Sequence, residues 1–219
     1  MTGIASAPPI RILYGGTFDP VHQGHLAVAD AASAAFDAHA FLVPSADPPH
    51  RAPPGASAGQ RAAMLDLAIA GHPRLHVDRR EMARAGPSYT VDTLREVRAE
   101  IGKHAPLIWL LGADAFQNLH GWHRWRDLFA LAHLVVAVRP GHALDALDPR
   151  LQVETATRWT DDRSALSRSA CGLLQELDLK ARPEAASNLR ERIASGLRWE
   201  DETLPAVVAY IRAHGLYSA

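Results

Sequence analysis

Short apolar runs recur along the chain, each cut off by glycine, proline or a small polar group. Residues 10–14, 41–44, 75–78, 107–111, 134–138 and 173–179 form such runs. Most are continuous rather than alternating, the pattern of strands buried on both faces. Helical spacing fills the gaps. After His25 comes an Ala-rich stretch with Leu26, Ala29 and residues 32–36 on small, closely packing faces. Ser57 and Gln60 have capping-box spacing for a helix to about residue 70. Residues 89–101 carry Val91, Leu94, Val97 and Ile101 on one stripe. A short helix is predicted over 187–195, closed by Gly196, and a last one over 204–214. The latter has Pro205 in its first turn and Gly215 just past its end.

Strand and helix therefore alternate, which predicts an α/β fold with a doubly wound parallel sheet. Residues 1–9 read as a loose tail. Residues 10–219 read as one domain, with a small helical part from about 185 to 219. The segment 114–133 reads as short, Trp-rich and partly helical, and 142–169 reads as variable loop. In a doubly wound sheet ligands lie at the strand C-terminal ends. The loops after Gly15-Gly16, Pro44, Gly112–Asp114 and Arg139 are thus expected to meet at one cleft.

Composition narrows the function classes. The 219 residues carry a formal net charge of −1, so no basic surplus suggests a nucleic-acid partner. Cys171 is the only cysteine, which leaves no internal disulfide and no Cys-based zinc site. The N-terminus lacks the charged and apolar regions of a signal peptide, and no apolar run reaches the length of a membrane span. A cytoplasmic protein without a membrane partner is expected. Lys103 and Lys180 are the only lysines, and neither lies in a Gly-rich loop.

The chemistry concentrates in residues 10–25, IRILYGGTFDPVHQGH. An apolar strand, a Gly-rich turn and a helix start together make a phosphate cradle. His22 and His25 flank that helix start and can carry charge near neutral pH. The loop is neither GxGxxG nor GxxxxGKS, which argues against hydride transfer and P-loop hydrolysis. No Ser-His-Asp set or catalytic cysteine is suggested. Phosphoryl or nucleotidyl transfer fits, because the enzyme there mainly positions reactants and stabilises charge.

GGTFDPVHQGH resembles the HxGH signature of the nucleotidyltransferase superfamily. DPPHR, PSYTVDTL, LGAD and the region of Trp122, in this order, are similar to the bacterial nicotinate mononucleotide adenylyltransferase family. The resemblance implies a Rossmann-like nucleotidyltransferase fold and transfer of AMP from ATP to nicotinate mononucleotide, with pyrophosphate released. It implies that Gly15, Gly16, Thr17 and Phe18 contact ATP, and that His22 and His25 stabilise the transferring group. It places Gly112 and Asp114 at the adenosine ribose and Arg139 near the ATP phosphates. His50 and Arg51 would hold the mononucleotide phosphate, with Tyr89 and Thr90 along the nicotinate pocket and Trp122 stacked on the ring. Mg²⁺ is expected on the phosphates, with no protein-held metal, and a homo-oligomer is possible within the family. One stretch departs from the pattern. Where the superfamily carries an ISSTxxR-type motif, this chain reads EAASNLR, keeping Ser187 and Arg190 as phosphate contacts but losing two serines to Ala185 and Ala186. The competing readings are an adenylyltransferase preferring nicotinamide mononucleotide and a non-catalytic nucleotide-binding module.

Overall fold

The computed structural model describes residues 9–46, 53–138, 144, 147–179 and 185–218. Its centre is a six-stranded, all-parallel sheet: β1 (Arg11–Gly16), β2 (His39–Pro44), β3 (Leu75–Val77), β4 (Leu107–Gly112), β5 (His133–Val138) and β6 (Leu174–Asp178), in the order β3-β2-β1-β4-β5-β6. This is the doubly wound order with its reversal between β1 and β4, and a ligand crevice belongs there.

Ten helices connect and cover the strands among the described residues: α1 (Gln23–Ala35), α2 (Ala58–Ile69), α3 (Arg80–Ala83), α4 (Thr90–Ile101), α5 (Ala113–Gln117), α6 (Leu128–Leu131), α7 (Pro149–Thr155), α8 (Arg163–Arg168), α9 (Ala186–Ala194) and α10 (Pro205–Ala213). The strand alternation sorts the core into two layers. Ile12, Tyr14, Leu42, Ile108, Leu110, Val135 and Ala137 join Leu26 and Ala29 of α1, Met64 and Leu65 of α2 and Val207 and Ile211 of α10. Leu13, Val43, Trp109, Leu111, Leu134 and Val136 instead join Val91, Leu94 and Val97 of α4 with Phe116 and Leu128. Neighbouring residues go to opposite layers because successive strand side chains point to opposite faces. Both layers being apolar explains the continuous runs in the sequence.

The local signals act as expected at the helix starts. Ser57 Oγ accepts from the Gln60 N–H at 3.3 Å, and Gln60 Oε1 accepts from the Ser57 N–H at 2.9 Å, which closes the capping box of α2. The reading of 142–169 as variable loop is corrected. It contains α7 and α8, capped by Asp148 and Asp162, and Trp159 bridges to Leu174 at the sheet edge. These helices have about two turns each, too short for a readable period. Residues 80–83, passed over in the sequence, form the single turn α3.

No helix among the described residues is long and apolar enough to cross a membrane.

Candidate functional site

The sheet parts where the glycines begin. β1 pairs with β4 only from Arg11 to Tyr14, but it stays paired with β2 through Gly16 opposite Pro44. β4 meanwhile continues with β5 to Gly112. A crevice therefore opens between Gly15-Gly16 and Leu111-Gly112, at the topological switch.

The two glycines are strand residues, and packing gives each a reason. A Cβ on Gly15 would lie 2.2 Å from the Trp109 indole, and one on Gly16 would lie 2.9 Å from the Phe18 ring. The close approach predicted for a phosphate is thus used first by two aromatic side chains. Phe18 has a left-handed backbone with φ +51 and is 2 % exposed. Its ring packs edge-on to Tyr14 at 5.6 Å and to His25 at 5.0 Å between centroids. The Phe18 ring is thus buried between Tyr14 and His25.

His22 is the N-cap of α1, and His25 lies one turn on. Their ring centroids are 3.7 Å apart, and His25 Nδ1 accepts the His22 N–H at 3.3 Å. With Nδ1 accepting, the neutral His25 ring holds its proton on Nε2 as a donor. The paired imidazoles thus stand at the positive end of a thirteen-residue helix.

Behind them lies a buried framework that the sequence reading missed. Asp19 Oδ2 accepts from the Gly55 N–H at 2.8 Å, and Oδ1 accepts from Ala56 N–H at 3.1 Å and Tyr217 O–H at 2.8 Å. Arg190 donates to the Asp19 carbonyl at 2.6 Å. Arg61 is 1 % exposed. It donates to the carbonyls of Thr17 at 2.6 Å, Ser45 at 2.7 Å, Ala46 at 3.3 Å and Ala56 at 3.2 Å. Burial pulls its pKa down, and the Asp19 charge opposes that shift. Burial also pushes the Tyr217 phenol up, helped by Asp19. A guanidinium inside the apolar stripe of α2, between Ala58 and Met64, was the legible signal for Arg61. No comparable signal marks Tyr217.

Of the remaining expected residues, those described lie at the following places in the fold. Gly112 caps α5, and the exposed Asp114 is in its first turn without capping it. Tyr89 is the N-cap of α4 and Thr90 its first residue. The Tyr89 ring stacks on His123 at 4.4 Å, which brings α4 beside the turn carrying the half-buried Trp122. His123, exposed to solvent, forms part of this wall, and His120 Nε2 lies 3.6 Å from Asp148. Ser187 is exposed in the first turn of α9, and Arg190 reaches from the next turn to the Asp19 carbonyl in the loop after β1. His50, Arg51 and Arg139 lie outside the described residues. No three His, Cys, Asp or Glu side chains cluster as a metal site among the described residues. The groups around the crevice are N–H and imidazole donors, a set suited to phosphate oxygens rather than to a bare cation.

A family model described as cytidylyltransferase-like matches residues 13–171. A probable nicotinate-nucleotide adenylyltransferase of Xylella fastidiosa (strain M12) is 50% identical over 215 residues, 96% of this chain and 97% of that protein. One of Stenotrophomonas maltophilia (strain K279a) is 51% identical over 214 residues, 95% and 96% of the two chains. Among solved structures, Plasmodium falciparum nicotinic acid mononucleotide adenylyltransferase complexed with NaAD superposes with a TM-score of 0.69 at 15% identity, over 95% of this chain and 97% of that one.

Proposed function

This chain belongs to the cytidylyltransferase-like family and, within it, to the nicotinate-nucleotide adenylyltransferases, and from that premise we infer that it transfers AMP from ATP to nicotinate mononucleotide, releasing pyrophosphate and giving deamido-NAD for NAD biosynthesis. The observation that carries the mechanism is the imidazole pair at the start of α1, beside the place where the sheet parts.

The acceptor phosphate attacks the ATP α-phosphorus in line, a P–O bond to pyrophosphate breaks, and no enzyme-bound intermediate forms. Alignment and charge stabilisation are the protein's contribution. His25 and His22 beside it take the charge that grows on the transferring and leaving phosphates. Loss of one preorganised donor of this kind costs about 10²–10³ in kcat. Backbone groups of Gly15, Gly16, Thr17 and Phe18 contact the triphosphate, and Ser187, Arg190 and Arg139 bind its phosphates. The alanines before Ser187 leave α9 to act through its N–H groups and dipole. Gly112 and Asp114 take the ribose. His50 and Arg51 grip the mononucleotide phosphate, and Tyr89, Thr90 and Trp122 line the nicotinate pocket. Mg²⁺, brought in with ATP rather than held by protein ligands, would supply charge neutralisation at the phosphates, beside the imidazoles and backbone N–H groups that hold them. We place the reaction in the cytoplasm, in keeping with a chain that has a single cysteine.

One assay tests both reaction and substrate. Purified protein with ATP and Mg²⁺ should release pyrophosphate much faster with nicotinate than with nicotinamide mononucleotide, and His25→Ala should lower kcat by on the order of 10²-fold. Equal or reversed preference overturns the substrate, no release with either overturns the activity, and near-normal turnover in His25→Ala removes its role.

A further inference from the structure

Glu81 is a carboxylate 4 % exposed, on the one-turn helix α3, away from the imidazoles. Burying a charge there is costly, and an apolar side chain would fill the space more cheaply. Its surroundings explain why a carboxylate stands there instead. The Thr93 hydroxyl donates to Glu81 Oε1 at 2.6 Å, and the Ser88 hydroxyl also hydrogen-bonds the carboxylate. Ser88 Oγ in turn accepts the Ala46 N–H at 3.0 Å, at the exit of β2. Arg84 donates to Thr93 Oγ1 at 3.2 Å and pairs with Glu96 at 2.6 Å. Burial pushes the Glu81 carboxyl up, while the two hydroxyls and Arg84 counter that shift.

The geometry is a grip on both sides of one short stretch. Ser88 precedes Tyr89 and Thr93 follows Thr90, so the carboxylate fixes the N-terminus of α4 from before and after those two residues. Through Ser88 it also fixes that start against the end of β2. An aliphatic residue could fill the volume but could not orient two hydroxyls.

We propose that Glu81 is a positioning residue for the acceptor mononucleotide: by accepting from Ser88 and Thr93 it holds the start of α4, and hence Tyr89 and Thr90, in the acceptor-binding conformation. This rests on the acceptor role given above to Tyr89 and Thr90. It touches neither the ATP side nor the reacting atoms, so its signature is asymmetric.

The test is steady-state kinetics of pyrophosphate release with the full chain, varying each substrate. Glu81→Ala should raise the KM for nicotinate mononucleotide at least about tenfold while the KM for ATP stays within about twofold. Glu81→Gln, whose amide oxygen still accepts, should recover part of that loss, and Ser88→Ala should move the same KM in the same direction. A smaller folded fraction lowers kcat and leaves both KM values alone, so it cannot mimic this pattern. Equal rises in both KM values, or an unmoved KM for the mononucleotide, overturn the proposal. If Glu81→Ala does not fold, Glu81→Gln and Ser88→Ala decide by the same criterion. A wild-type protein that releases no pyrophosphate overturns the activity itself, an outcome separate from an active wild type whose variants show no asymmetry.

Discussion

At the scale of single residues, burial decides which titratable groups matter for stability. His133 is fully buried at the start of β5. Its Nε2 bonds the Ser169 carbonyl at 2.9 Å, while Nδ1 accepts the Leu173 N–H at 3.1 Å. Those partners fix one neutral tautomer, because a second ring proton would face a donor. Burial accordingly pulls its pKa down, with the Arg98 charge acting the same way against the carbonyl bonds. A depressed histidine pKa means the folded state binds fewer protons. The stability is complete above about pH 6.5 and is lost as pH falls through that value toward the folded pKa. His133→Gln keeps an acceptor and a donor but cannot titrate. The fall in Tm between pH 7.5 and 5.5 should be smaller in that variant, and an unchanged fall would exclude His133 as a source of acid sensitivity. Residues of this kind are poorly legible in sequence, since an isolated histidine beside an apolar run carries no mark of its partners. His22 and His25 were legible because their spacing and their glycines come as one local phrase. Asp19 is in the same phrase and was passed over, since its partners Gly55 and Tyr217 are far along the chain.

At the scale of elements, the central strands were readable because burial on both faces writes a continuous apolar run, as in β4 and β5. The helices were readable where a long stripe marked them, whereas α7 and α8, though capped by Asp148 and Asp162, are like α3 too short to show one. What the sequence could not convey is why β1 ends in glycine, since that depends on β4. With a Cβ at Gly15 only 2.2 Å from the Trp109 six-membered ring, Gly15→Ala forces one strand or the indole to shift. Overpacking of this kind costs about 1–3 kcal/mol. Trp109→Phe removes the atoms that would collide, so Gly15→Ala/Trp109→Phe should recover part of the loss. Denaturant unfolding of the two single variants and the double variant measures it. Simple additivity would mean that the indole is not the obstacle.

At the scale of the whole molecule, the loop after β1 is held by no single segment. Arg61 of α2 holds Thr17, Arg190 of α9 holds the Asp19 carbonyl, and Tyr217 beyond α10 completes the Asp19 carboxylate. Hydrogen bonds to a charged group are worth about 1.5–3 kcal/mol each. Tyr217→Phe should therefore lower Tm by on the order of 5 °C in a chain of this size. The Tyr217→Phe/Asp19→Asn pair should lose less than the sum of its single variants. Fully additive losses would mean that the phenol and the carboxylate are not coupled.

That last contact sets an order of events during synthesis. Asp19 leaves the ribosome early, in the first strand–helix unit, whereas its phenol partner follows 198 residues later. The sheet from β1 to β5 can assemble while the chain is still being made, because its strands succeed one another along the sequence. The hydrogen-bond framework around Asp19 therefore closes only once residue 217 has emerged, so a nascent chain can hold its first strands before the loop after β1 has all its partners.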